Sequence, residues 1–263
     1  MFRIDENNIG RDEYYISSSD CDCFYKAKLP YYFAINQEMS GLHADMKGAG
    51  IRDLLENEGR TWMVSRTRME IQRTASWKDT AVTETWPQKA YRLFAPRVVK
   101  ADDQNGNPLF TAITHWVIMD MVRKRPVRPQ EIEKRIPAPD ESLRFVSPEL
   151  GKMRSRDEYK GPSFSIEPVV TYFDIDYNRH VNNISYVNWT VDSFPKVFLD
   201  EYEVSMIDCH WAKQTYQTDR IRVETVQIDQ ERPMFYTEII RTSDDGNDQE
   251  VVFEAETEWR RKS

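Results

Sequence analysis

Two segments of the chain repeat one pattern, and that internal repeat constrains the fold more than any other feature. Residues 66–86 read as strand, turn, strand: Met69 and Ile71 alternate, then Ala81, Thr83 and Thr85 do. Residues 207–226 have the same shape, and placing Asp79 on Asp219 sets the offset at 140 residues (219 − 79). Met69 then meets Cys209, Ile71 meets Trp211, Arg73 meets Lys213, and Glu84-Thr85 meets Glu224-Thr225. A later pair also matches: Phe110-x-Ala112-x-Thr114-x-Trp116 against Phe253-x-Ala255-x-Thr257-x-Trp259.

A helix is expected before each copy. The first spans 31–58, where Ile35, Met39, Leu42, Met46 and Ala49 recur at helical spacing. Gly48 and Gly50 are expected to break or kink it, because glycine costs about 1 kcal/mol in a helix interior. The second spans 182–194 and is limited by Pro195. A strand opens each unit, over 14–28 and 165–175. Strand, helix, then several antiparallel strands, given twice, is the α+β pattern of a sheet wrapped around one central helix. The expected division is a first unit at 1–125, a linker at 126–162 rich in proline and charge, and a second unit at 163–263.

Composition narrows the function. A net charge of −8 disfavours nonspecific nucleic-acid binding, where a basic surface supplies most of the affinity. No run of about 18 apolar residues exists, so no membrane-spanning helix is expected, and the first residues lack the apolar core of a secretory signal. Cys21, Cys23 and Cys209 cannot all pair, and Cys21-x-Cys23 has no Cys/His cluster to complete a metal site. A reducing cytoplasm is the simple reading, with no metal and no organic cofactor. One basic cluster, Arg123, Lys124, Arg125 and Arg128, reads either as a solvated linker or as a docking patch for an acidic partner.

The chemistry gathers in 173–189, FDIDYNRHVNNISYVNW. Asp176, Asn178 and His180 stand at i, i+2 and i+4, where a strand gives way to a helix, and in an extended stretch they project to one side. His180 suits a general base at neutral pH, and Asp176 either orients it or attacks directly. Asn178 suits a water or a developing oxyanion. The competing reading is that Asp176 and Asn182 or Asn183 merely cap the helix. No Gly-x-Ser-x-Gly elbow and no glycine-rich phosphate loop occurs.

The stretch D-I-D-Y-N-R-H-V-N-N-I-S-Y-V-N-W closely resembles the active-site segment of plant and bacterial acyl-acyl-carrier-protein thioesterases. The first unit is similar to them too, in Gln37-Glu38 followed by His43, Gly59-x-x-Trp62, Val64-x-Arg66, the Trp77-Lys78-Asp79 turn and Thr85-Trp86. The resemblance covers about 14–260 and implies a tandem hotdog fold that hydrolyses a fatty acyl chain from acyl carrier protein. Asp176, Asn178 and His180 match the family's acid, amide and imidazole. The family's glutamate, in the next strand, falls on Gln214 or on Thr215 if the gap is set differently; neither is a carboxylate, and Gln214 is a candidate to position water. The alternatives are an acyl-coenzyme A thioesterase and a hotdog protein that binds acyl chains without turnover. Pairing with a second copy of the chain is left open.

Matching the helix starts at an offset of about 149 sets Asp176, Asn178 and His180 against Ala27, Leu29 and Tyr31, so the first unit is expected to be catalytically silent. Its helix stripe offers Met39 and Met46, with Trp62 beyond, as candidates to line a slot for the acyl chain. His43 is expected to be a core or slot residue.

Overall fold

The computed structural model describes residues 1–140, 150, 153, 163–229, 231–242 and 249–262, and the chain divides into two units, Met1–Glu149 and Leu150–Ser263. In the first unit, strands β1 (Arg3–Ile4), β2 (Gly10–Tyr15), β3 (Arg60–Ile71), β4 (Thr80–Pro87), β5 (Phe94–Asp102) and β6 (Pro108–Asp120) form one antiparallel sheet in the order β1-β2-β4-β5-β6-β3. Helix α1 (Leu29–Met46) lies on it, burying Ile35 and Met39, with Asn36 donating to Thr114 Oγ1 at 3.0 Å. The helix stops where the glycines stand. Gly48 takes φ 64°, a conformation closed to most side chains, and Gly50 caps α2 (Ile51–Glu58). Trp62 pins the break, its indole N–H donating to the Ala49 carbonyl at 2.8 Å.

Residues 126–137, assigned to the linker by composition, belong to this unit. Strand β7 (Arg125–Val127) pairs with β6, and Ile132 of α3 (Gln130–Arg135) is buried with Ile136 against Ala44, Leu54 and Ile118. Proline and charge reported the surface of this short element, while two isoleucines four apart supplied its anchor. Of the rest of the expected linker, 141–149, 151–152 and 154–162 lie outside the described residues.

The second unit repeats the plan: β8 (Ser163–Ile166), β9 (Tyr202–Trp211), β10 (Arg220–Asp229), β11 (Met234–Thr242) and β12 (Gln249–Arg261) pair antiparallel in the order β9-β12-β11-β10-β8. Helix α4 (Asn183–Asp192) packs on it, with Tyr186 stacked on Phe253 at 5.4 Å and Ser193 bonded to Thr225 at 2.8 Å. Pro195 separates it from α5 (Lys196–Glu201). The repeat is exact in register. Phe110 pairs with Ile71 and Ala112 with Met69, as Phe253 pairs with Trp211 and Ala255 with Cys209. Each unit is thus an antiparallel sheet against a central helix, the hotdog arrangement.

The opening strands are shorter than the alternation of apolar residues implies. Strand β2 ends at Tyr15 and β8 at Ile166, and each is followed by a turn of 3-10 helix, Ser18–Asp20 and Tyr172–Asp174. A capping box starts each turn: Ser17 with Asp20 and Thr171 with Asp174 exchange side-chain and backbone hydrogen bonds.

Candidate active site

The loop from Asp176 to Asn182 is a tight turn, which corrects the expectation of an extended stretch. The Asp176 N–H donates to the His180 carbonyl at 2.9 Å, and the Arg179 N–H to the Asp176 carbonyl at 3.0 Å. Arg179 takes φ 64° to close the turn. The Asp176 carboxylate folds inward: Oδ1 accepts the backbone N–H groups of Asn178 (2.8 Å) and His180 (3.3 Å), and Oδ2 accepts the Asn178 side-chain amide at 3.3 Å. Among the described residues, one Asn178 side-chain N–H and its carbonyl oxygen make no hydrogen bond, and the side chain is exposed.

His180 is held differently. Its ring packs edge-on against Tyr216, centroids 5.2 Å apart at 78°, and among the described residues its ring nitrogens make no hydrogen bond. A neutral imidazole in that state offers one lone pair to a proton and one N–H to an acceptor. Val181 then fixes the loop to the sheet, its N–H donating to the Thr215 carbonyl at 2.8 Å, and Asn182 caps α4 by accepting from Ile184 N at 2.9 Å. Helix capping therefore falls to Asn182, and Asp176 organises the loop before it.

Tyr216 is not among the candidates that the sequence offers, although its neighbours Gln214 and Thr215 are. Asp219 Oδ2 accepts from the Tyr216 N–H at 2.8 Å, just as Asp79 Oδ2 accepts from Ser76 in the first unit at 2.8 Å. The repeat, carried three residues back from its aspartates, points to this position. Arg241 braces the same turn, donating to the Gln214 carbonyl at 2.8 Å and pairing with Asp219 and Glu250.

The first unit contains a twin of this loop, at an offset of 154 residues (176 − 22) and not about 149. Asp22 N donates to the Lys26 carbonyl at 2.8 Å, Tyr25 N to the Asp22 carbonyl at 3.1 Å, and Tyr25 takes φ 61°. Asp22 Oδ1 accepts from Phe24 N (2.8 Å) and Lys26 N (2.9 Å). Ala27 donates to the Ala75 carbonyl at 2.9 Å, matching Val181 and Thr215. Asp176, Asn178 and His180 therefore correspond to Asp22, Phe24 and Lys26.

The acyl-ACP thioesterase N-terminal domain matches residues 7–136, and the acyl-ACP thioesterase C-terminal domain matches 159–261. The chain belongs to the acyl-ACP thioesterase family. Oleoyl-acyl carrier protein thioesterase 1 of Arabidopsis thaliana is 26% identical over 60% of this chain and 46% of its own length. Oleoyl-acyl carrier protein thioesterase 2 of the same plant is 24% identical over 77% of this chain and 62% of its own length. The chain thus spans less than two thirds of the length of these curated relatives. Among solved structures, an acyl-ACP thioesterase from Bacteroides thetaiotaomicron superposes with a TM-score of 0.80 at 23% identity, covering 97% of this chain and 99% of that one. The 12:0-ACP thioesterase from Umbellularia californica superposes with a TM-score of 0.83 at 20% identity, covering 97% and 98%. Similarity at that level carries the tandem hotdog fold.

Placed in this acyl-ACP thioesterase fold, the remaining candidates scatter. Gln214 is half-buried and its side-chain oxygen accepts from the hydroxyl of Tyr216 at 3.5 Å, the ring that packs against His180. Thr215 is fully buried. Met39 is also fully buried, its sulfur accepting from Thr83 Oγ1 at 3.2 Å. Met46 is 58% exposed on the last turn of α1, which argues against its lining a buried slot. Trp62 packs against the cluster of Ala49, Leu54 and Ile132, a structural place. Arg123, Lys124, Arg125 and Arg128 lie exposed on and beside the turn that joins β6 to β7, where Asp120 Oδ1 accepts the N–H groups of Val122 and Arg123. Among the described residues, no helix is long and apolar enough to cross a membrane.

Proposed function

We propose that this protein hydrolyses a fatty acyl thioester carried on acyl carrier protein, releasing the free acid and the carrier thiol, with the chemistry on the 176–180 loop. The observation that carries the proposal is an imidazole with no hydrogen bond to its ring among the described residues, two residues from an exposed amide, on a loop closed by a carboxylate. His180 takes a proton from water as the water oxygen attacks the thioester carbonyl carbon. The carbonyl oxygen becomes an oxyanion, and the free N–H of Asn178 donates to it. The C–S bond breaks, the departing sulfur receives the proton from His180, and acid and thiol leave. The names of the relatives, oleoyl- and 12:0-acyl carrier protein thioesterases, support this choice of substrate. Every group the scheme needs belongs to the chain itself.

The exposed turn at Arg123, Lys124, Arg125 and Arg128 is proposed to hold the acidic carrier. Exposed charge pairs act mainly on encounter and are screened by salt. Reversing these four charges is expected to raise KM for dodecanoyl-acyl carrier protein several-fold and to leave hydrolysis of dodecanoyl-coenzyme A unchanged. Free thiol would be followed with a chromogenic trap on both substrates, at low and high salt. An equal effect on the two substrates removes the docking role.

Gln214→Ala is expected to change turnover only modestly, because the described side-chain contact of Gln214 is to Tyr216 and not to His180. A loss as deep as that of a His180 variant would make Gln214 the residue that positions the water.

A further inference from the structure

The two loops that share one backbone differ in their chemistry, and the difference separates the role of the aspartate from those of its neighbours. We infer that Asp176 is a positioning residue: its carboxylate folds the loop that presents Asn178 and His180, and it neither attacks the thioester nor carries a proton. This rests on the proposal that the 176–180 loop is the hydrolytic site.

The comparison is internal to the chain. Asp22 and Asp176 each accept two backbone N–H groups on Oδ1, two and four residues ahead, at 2.8 and 2.9 Å in one loop and 2.8 and 3.3 Å in the other. Each follows a 3-10 turn set by a capping box, and in each loop the third residue after the aspartate takes a left-handed φ near 60°, 61° for Tyr25 and 64° for Arg179. The loops then close alike, Lys28 N on the Asp20 carbonyl at 2.9 Å and Asn182 N on the Asp174 carbonyl at 2.7 Å.

At the positions of Asn178 and His180 the first loop carries neither an amide nor an imidazole. Phe24, in the place of Asn178, has neither a polar donor nor a lone pair. Lys26, in the place of His180, is a cation whose ammonium donates to Ser76 Oγ at 3.2 Å. Asp22 nevertheless makes the full set of backbone bonds. A tight turn with a non-glycine residue at positive φ leaves N–H groups facing inward, and an acceptor there is what keeps the turn folded. That need accounts for the carboxylate in both loops.

The second loop adds one contact, Asn178 Nδ2 to Asp176 Oδ2 at 3.3 Å. It fixes which way the amide faces, leaving the second N–H to aim at the oxyanion. Both lone pairs of Asp176 Oδ1 are engaged by backbone N–H groups, and Oδ2 is turned to the amide. The described bonds of both oxygens thus lie within the loop itself.

The test compares Asp176→Asn with Asp176→Ala, beside His180→Ala and the matching pair Asp22→Asn and Asp22→Ala. Asparagine keeps an oxygen for the two backbone N–H groups, gives up the weaker Oδ2 acceptor for the Asn178 amide, and cannot act as nucleophile or base. With dodecanoyl-acyl carrier protein as substrate, Asp176→Asn is expected to hold kcat within about tenfold of the parent, with the same pH profile. Asp176→Ala is expected to fall at least roughly a hundredfold, like His180→Ala. Asp22→Ala and Asp176→Ala are expected to lower Tm alike, and the Asp22 variants to leave turnover unchanged. An Asp176→Asn enzyme as inactive as His180→Ala, with native Tm, overturns the positioning role and makes the charge itself catalytic. An unaffected His180→Ala enzyme instead overturns the assignment of the site, so the two failures are distinct.

Discussion

His180→Ala is expected to lower thioester turnover by at least roughly a hundredfold, the scale of a lost general base, and to leave Tm within about a degree or two of the parent. The first half follows from the single proton-accepting group the loop offers. Asn178 has no basic nitrogen, and in the proposed scheme Asp176 is committed to backbone N–H groups. The second half follows from how little His180 supports: its ring is only half-buried and has one described contact, the edge of Tyr216. Surface substitutions of that kind stay within about 0.5 kcal/mol. Steady-state kinetics on acyl-carrier and acyl-coenzyme A substrates, with a thermal scan of the same preparation, measures both. Near-normal kcat in a folded His180→Ala enzyme would move the chemistry off this loop.

The repeat was legible because paired strands must alternate in phase, so Met69 and Ile71 on one strand and Ala112 and Phe110 on its partner repeat together as Cys209, Trp211, Ala255 and Phe253. The break in the first helix was legible because Gly48 adopts a φ that other residues avoid. The twin of the candidate catalytic loop was not. It lies between elements, where neither the period of two nor that of 3.6 applies, and its alignment depended on helix starts. Those starts are Leu29 and Asn183, 154 residues apart (183 − 29), whereas starts judged from apolar periodicity gave about 149. An error of a few residues is ordinary at a helix boundary, and here it moved Asp22 out of view. The Ser17/Asp20 and Thr171/Asp174 capping boxes were the local signals that would have corrected it, since both are a hydroxyl and an acid three residues apart. The buried His43 was legible as core, but its partner was not, because Arg97 is distant in sequence and a buried arginine that pairs with no carboxylate among the described residues follows no pattern.

That pair yields the other large expected effect: His43→Ala should destabilise the first unit by about 3 kcal/mol while sparing kcat. Arg97 is 6% exposed and His43 is fully buried. The guanidinium donates to His43 Nδ1 at 2.6 Å and to Thr85 Oγ1 at 3.3 Å. Arginine can only donate, so Nδ1 is the acceptor and Nε2 carries the proton, donating to Asn8 Oδ1 at 3.3 Å; the Asn8 amide in turn donates to the Pro137 carbonyl at 2.5 Å. Burial pulls Arg97 down to about 9, still a cation at neutral pH. Removing its imidazole acceptor leaves a buried charged donor unsatisfied, which costs about 3 kcal/mol or more. His43→Ala with Arg97→Met should recover most of the loss, because the orphaned charge goes with it.

The same geometry predicts acid sensitivity. Burial first, then the Arg97 charge, holds His43 down to about 2 from an ordinary value of 6.5. Between those two values the unfolded chain binds a proton that the folded chain refuses, so stability is full above 6.5 and falls as pH drops toward 2. The slope is about 1.4 kcal/mol per pH unit, and moving from pH 7 to pH 5 removes about 2 kcal/mol through this residue. His43→Gln keeps an oxygen for Arg97 and has no proton to bind, so urea unfolding at the two pH values should show its stability changing by about 2 kcal/mol less than the parent's. Equal pH dependence in the two proteins would mean that His43 accepts its proton inside the fold, against the guanidinium 2.6 Å away.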